Sequence, residues 1–86
     1  MNSIALVDDH ILLRNGLAAL IKSIGFDVLF EANNGEDCIS RIKKMGKPDI
    51  VLMDINMPVK DGFETTLWLK KNHPEIKVLA LTMIDD

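Results

Sequence analysis

At 86 residues the chain has room for one domain and no second, and so short a chain leaves a thin stability margin. Its composition, 48% hydrophobic and 27% charged, is ordinary for a globular protein. The apolar runs are too short to cross a bilayer, and Met1-Asn2-Ser3 opens no secretory signal. A net charge of −3 with scattered basic residues makes the segment a poor nucleic-acid binder by itself. The single cysteine, Cys38, excludes an internal disulfide and fits a reducing cytoplasm.

Ser3 to Val7 reads as a strand buried on both faces, because it is almost wholly apolar. Asp8-Asp9-His10 breaks it. A helix follows, with Leu13, Leu17, Leu20, Ile21 and Ile24 recurring at three- and four-residue spacing, and Gly25 stands where a left-handed cap is usual. The second strand covers about 27 to 31, and Asn33-Asn34-Gly35 is a turn signal. A second helix, roughly 36 to 45, buries Cys38, Ile39 and Ile42, and Gly46 closes it. The third strand runs from about 49 to 54, a loop occupies 56 to 62, and a third helix spans about 63 to 72 before Pro74. Its core positions are expected at Phe63, Thr66 and Leu69, with Leu67 and Trp68 partly outward as amphipathic cover. The fourth strand is 76 to 82. Lys43-Lys44 and Lys70-Lys71 read as solvated helix ends, suited to the negative pole of the helix dipole. Alternation of this kind predicts an α/β, doubly wound parallel sheet covered on both faces.

A parallel sheet gathers the C-terminal ends of its strands on one edge, where ligands bind. Asp8 and Asp9 stand there on the first strand and Asp54 on the third. If those strands are neighbours, three carboxylates converge in one shallow pocket. Like charges so close repel unless a cation relieves them, and the hard, oxygen-seeking Mg²⁺ is the natural occupant. An Asp at a strand end also serves as a turn former or helix N-cap. The coincidence of Asp54 and the Thr82 hydroxyl on the same edge favours the functional reading. His10 and His73 read as surface polar residues, since no second histidine or cysteine pairs with either at metal spacing.

Val7-Asp8-Asp9-His10, Met53-Asp54-Ile55-Asn56-Met57-Pro58, Asp61-Gly62 and Leu81-Thr82 together resemble the receiver domain of two-component response regulators. The resemblance implies the flavodoxin-like strand order 2-1-3-4-5. It implies Asp54 as phosphoacceptor for a sensor histidine kinase, with Mg²⁺ as cofactor. Asp9 would ligate the ion directly, Asp8 mainly through water, and the backbone carbonyl of Asn56 would add a ligand. Thr82 would contact the phosphoryl group and report it across the sheet, and Pro58 and Gly62 would shape the loop carrying Asn56. A receiver of this kind is a phosphoacceptor and at most catalyses its own phosphorylation and dephosphorylation. The segments 9–17 and 81–86 are most similar to LuxR/NarL-type regulators, which implies a DNA-binding domain outside this chain.

A complete receiver also has a fifth strand, ending in a lysine, and two further helices; residues 1–86 are expected to be a receiver cut short after its fourth strand. Lys47-Pro48 precedes the third strand, at the opposite edge, and does not replace that lysine. The last strand is then an exposed apolar edge. Apolar surface of the first and third strands lies open as well, so a homodimer, an exchanged oligomer or a marginal fold is expected. A haloacid-dehalogenase-type phosphatase would need a second Asp two residues after its nucleophile, and Asn56 stands there. A flavodoxin-like flavin carrier would need a Ser/Thr/Gly-rich loop after the first strand, where Asp8-Asp9-His10 stands instead. The remaining rival is a phosphorylation-incompetent receiver serving as a dimerisation or docking module. Asp8, Asp9, Asp54 and Thr82 argue against it, and the lack of the lysine-bearing strand in residues 1–86 argues for it.

Overall fold

The computed structural model describes residues 2–54 and 61–81. Strands and helices alternate as β1 (Ser3–Val7), α1 (Ile11–Ser23), β2 (Asp27–Ala32), α2 (Gly35–Met45), β3 (Ile50–Asp54), α3 (Asp61–Asn72) and β4 (Lys77–Leu81). All pairings are parallel and the order is β2-β1-β3-β4, as the doubly wound reading requires.

The strand period of two divides the core between the faces. Ala5, Val7, Val51 and Met53 pack with Cys38, Ile42 and Leu69 under α2 and α3. Ile4 and Leu6 pack with Ala18 and Ile21 under α1, joined by the half-buried Ile50 and Leu52. A bulge interrupts the β1–β2 ladder, where Ile4 pairs with Val28 but Ala5 pairs with Phe30. The skipped residue, Leu29, leans on the same cluster as Phe30. A one-residue slip reverses the facing of everything beyond it. Here it buries Phe30 and turns Glu31 toward α1.

The helix ends follow local chemistry. Gly25 and Gly46 take positive φ, +100° and +97°, where a Cβ would be strained. Asn34 caps α2 by accepting the Asp37 N–H at 2.8 Å, and the Asp37 carboxylate accepts the Asn33 N–H at 3.0 Å in return. Lys43-Lys44 and Lys70-Lys71 occupy the last turns of α2 and α3. At the N-terminal edge of the sheet, Lys47 donates to Glu75 at 2.7 Å and Asp49 accepts the Ser3 N–H at 2.8 Å. The hydrogen bond from Lys47 holds the Glu75 carboxyl below its usual range.

Three expectations need correction. On α1 the buried residues are Ala18 and Ile21, while Leu20 and Ile24 are exposed. The apolar stripe is wider than the single strand pair it covers, so its flank faces out. On α3 the buried stripe is Gly62, Thr65 and Leu69, not Phe63 and Thr66; Phe63 is 67% exposed and Thr66 half-buried. Successive helical residues are about 100° apart, so a stripe centred on Leu69, with Trp68 partly buried beside it, leaves Phe63 outside. The first strand is not left open either: Leu6 is 1% exposed beneath α1, and of these two strands β3 is the one with half-buried apolar residues on that face, Ile50 and Leu52. The fourth strand does form an apolar edge, with Leu79 53% exposed. Among the described residues no helix is long and apolar enough to cross a membrane.

These facings are separable by mutation. Leu69→Ala is expected to destabilise by about 2–5 kcal/mol in urea unfolding, and Phe63→Ala to stay within about 0.5 kcal/mol. Equal losses at the two positions would contradict the observed rotation of α3.

Candidate functional site

The site begins with the β1–β3 register. Val7 pairs with Met53, so Asp54 and the residue after Val7 arrive side by side at the C-terminal edge. Asp8 and Asp54 are both buried there, at 3% and 2% exposure. The Asp8 N–H still donates to the Ala32 carbonyl at 3.1 Å, prolonging the ladder by one rung. Its carboxylate then accepts the His10 N–H at 2.8 Å. Asp8 is therefore a turn former as well, and the two readings of it hold together: the turn fixes a buried carboxylate that still lines the pocket.

Asp9 is exposed at the rim. His10, the residue before α1, contributes no side-chain cap. Its Nδ1 instead lies 3.4 Å from Asp8 Oδ1 and 3.2 Å from Asp9 Oδ1. One ligand atom from each of Asp8, Asp9, His10 and Asp54 falls within 4.8 Å of all the others. Three carboxylates at that separation suit a hard divalent cation, which takes carboxylate, carbonyl and water oxygens. The donor set present thus fits Mg²⁺.

Arg14 holds this edge together. One turn into α1, its Nη1 donates to the Asp8 carbonyl at 2.9 Å, the Ala32 carbonyl at 3.2 Å and Asn33 Oδ1 at 2.7 Å. Its Nε donates to Glu31 at 3.1 Å. The guanidinium thus binds backbone at the ends of β1 and β2 and spends its charge on Glu31.

The sequence-based expectations divide three ways. The structure brings Asp8, Asp9 and Asp54 together, as anticipated. Gly62 is buried in the first turn of α3. Asn56, Pro58 and Thr82 lie outside the described residues. Lys47 is at the opposite edge, paired with Glu75. Two residues were missed. His10 is exposed, as a surface polar residue should be, and its ring also lies beside Asp8 and Asp9, a closeness its adjacency in sequence could have signalled. Arg14 gave a weaker signal: four residues after His10, it returns to the same side of the helix.

Removing the guanidinium takes a donor from four acceptors near the site. Arg14→Met is expected to cost about 1.5–3 kcal/mol in urea unfolding and to weaken Mg²⁺ binding by loosening Asp8. Arg14→Lys is expected to recover less than half of either, because a point charge cannot reproduce the fork. Full recovery by lysine would show that charge alone matters.

Comparison with known proteins agrees with this geometry. The profile of the response regulator receiver domain matches residues 4–86. The transcriptional regulatory protein LnrK of Bacillus subtilis is 41% identical over 87 residues, covering 100% of this chain and 39% of LnrK. The chain spans about two fifths of the length of the curated relatives it matches. Among solved structures, a two-component response regulator of the LuxR family from Aurantimonas sp. superposes with a TM-score of 0.85 at 32% identity, over 96% of this chain and 59% of that one. The response regulator TrrA of Thermotoga maritima, solved in complex with Mg²⁺-BeF, superposes with a TM-score of 0.87 at 29% identity, over 99% of this chain and 72% of TrrA. This chain belongs to the response regulator receiver domain family, the non-enzymatic phosphoacceptors of two-component signalling.

Proposed function

We propose that Asp54 accepts a phosphoryl group from the phosphohistidine of a sensor histidine kinase, with Mg²⁺ as cofactor. The observation that carries this reading is the convergence of Asp8, Asp9 and Asp54 at the C-terminal edge of a parallel sheet. Asp54 is buried at the end of a central strand, so its carboxylate is held in place. A positioned carboxylate attacks the phosphorus as nucleophile. A P–O bond forms as the P–N bond breaks, and the imidazole leaves with a proton. Asp8, Asp9, Asp54 and the Asn56 backbone carbonyl would hold Mg²⁺, whose positive charge would offset the negative charge of the oxygens gathered there. The TrrA complex with Mg²⁺-BeF supports that role by analogy. Thr82 would hydrogen-bond the phosphoryl group, and Pro58 and Gly62 would shape the loop bearing Asn56.

The description of LnrK as a transcriptional regulatory protein supports a further proposal. In the whole protein, phosphorylation of this domain would control a DNA-binding domain, with no membrane contact by the segment itself. We further propose that this chain self-associates as a homodimer or exchanged oligomer through the β4 edge, where unpaired backbone groups and Leu79 offer a template for a second strand.

Incubation with a small phosphodonor and Mg²⁺ is expected to add one phosphoryl increment to the intact mass, and none to Asp54→Asn. An increment retained in that variant would place the modification elsewhere. No increment in either protein would favour the docking-module reading. In sedimentation velocity the chain is expected to run as a dimer or larger, and Leu79→Lys to shift it toward monomer. A compact monomer at all concentrations would overturn the association.

A further inference from the structure

The groove between α2 and α3 is lined by Glu36 and Ile39 from one helix and Glu64, Thr65 and Trp68 from the other, around a cavity of about 340 Å³. That is the low end of the roughly 300–1,000 Å³ of small-ligand clefts, room for one long side chain. Glu36 and Glu64 are exposed near the starts of their helices, and Ile39 and Trp68 are half-buried one turn further along. Among the described residues neither glutamate has a hydrogen-bond or ion-pair partner.

Thr65 adds an independent observation. The residue is 3% exposed, yet its hydroxyl has no hydrogen-bond partner among the described residues and still opens to the groove. Its neighbour Thr66 makes the bond a helical threonine ordinarily makes, donating to the Gly62 carbonyl at 2.7 Å. A buried hydroxyl without a partner costs stability, so Thr65 is placed for a group that the chain itself does not supply. Helix dipoles favour an acidic residue in each first turn, which accounts for the two glutamates but not for the apolar floor and the unbonded hydroxyl beside them.

The lining selects a cation on an apolar stem. Lys43 Nζ already lies 6.0 Å from the Trp68 ring, so the indole accepts positive charge from within the chain. Lys43, one turn beyond Ile39, repels a second cation from that end and directs it to the glutamates. The glutamates in turn exclude phosphate-bearing partners such as nucleic acid and membranes. Leu67, one turn from Glu64 on the outer side of α3, is 52% exposed. A free amine would leave it wet, whereas the residues flanking a partner's side chain can cover it. We propose that the α2–α3 groove takes an arginine side chain from a basic segment of a partner protein. The stem lies on Ile39 and Trp68, and the guanidinium bridges Glu36 and Glu64 and donates to the Thr65 hydroxyl. A planar fork suits carboxylates on two separate helices better than a single ammonium does. This site uses none of Asp8, Asp9 and Asp54 and goes beyond the phosphoacceptor reading.

Trp68 is the only tryptophan and there is no tyrosine, so intrinsic fluorescence reads the groove directly. The probe is a capped tripeptide, arginine between two leucines, compared with its neutral citrulline analogue and with agmatine. The arginine peptide is expected to shift the Trp68 emission saturably and to bind about tenfold or more tightly than either comparator. Glu36→Gln and Glu64→Gln are each expected to lose about tenfold in affinity for it. Asp27→Asn, which neutralises an exposed carboxylate on β2, is expected to lose nothing. Thr65→Val is expected to weaken peptide binding severalfold while its urea midpoint stays at or above that of the wild type, because the hydroxyl removed has no partner in the chain. A lowered midpoint would show a structural threonine and overturn its part in the site. Equal affinity for the arginine and citrulline peptides, or glutamine variants that bind as the wild type does, would overturn the proposal. Agmatine binding as tightly as the peptide would overturn the partner segment as the source of the cation. Absence of saturable binding by fluorescence and by calorimetry, in protein folded by circular dichroism, would overturn the whole.

Discussion

The guanidinium of Arg14 sits where three segments must meet for the site to exist. It donates to the carbonyls that end β1 and β2 and to the side chain that opens the turn into α2. A strand-end carbonyl such as that of Asp8 runs out of ladder N–H donors and needs water or a side chain to donate to it. Arg14 supplies the side chain, from a helix separated from β1 by only three residues. The Asp8 carbonyl is thereby pinned, and with it the orientation of the Asp8 carboxylate. A buried cation in this place would itself be costly without a partner. The β1–β2 bulge resolves that by turning Glu31 onto the same face, 3.1 Å from Arg14 Nε.

The two edges of the sheet solve their electrostatics differently. At the N-terminal edge charges are matched: Lys47 pairs with Glu75, and Asp49 is satisfied by Ser3. Such exposed pairs are worth little to stability, but they leave no concentrated charge. At the C-terminal edge the nearby arginine is committed to backbone carbonyls and to Glu31, not to the pocket carboxylates. The carboxylates of Asp8, Asp9 and Asp54 are gathered there with an imidazole beside them. A fold selected for stability alone would spread or pair those groups. Their concentration on the ligand-binding edge is the acidic cluster typical of a receiver's Mg²⁺ site.

The packing explains why that cluster sits on a rigid support. Val7, Val51 and Met53 on one side of the central strands, and Leu6 of β1 on the other, are almost wholly removed from water, while Ile50 and Leu52 of β3 are half-buried. Asp8 and Asp54 extend directly from these strands, so their backbones inherit the order of the core. The outer elements are looser. The α1 flank with Leu12, Leu20 and Ile24, and β4 with Leu79, present apolar side chains to solvent.

Much of this was legible in the residues themselves. Apolar runs of five or six residues, punctuated by Gly25, Gly46 and Pro74, determined the alternation of strands and helices and hence the parallel sheet. The same alternation placed Asp8, Asp9 and Asp54 on one edge, because strand direction alone decides which ends meet. Facing was less legible. Whether Phe63 or Thr65 lies inward on α3, and whether Leu20 does on α1, depends on how each helix is rotated over the strands beneath it. A stripe wider than its contact does not specify that rotation. The bulge in β2 had no sequence marker, since Val28, Leu29 and Phe30 are all apolar and any of them could be skipped. Only the tertiary structure brought Glu31 to Arg14, and Arg14 to the ends of two strands. The contacts to β2 join residues 17 and 18 positions apart, through a register that no local pattern encodes.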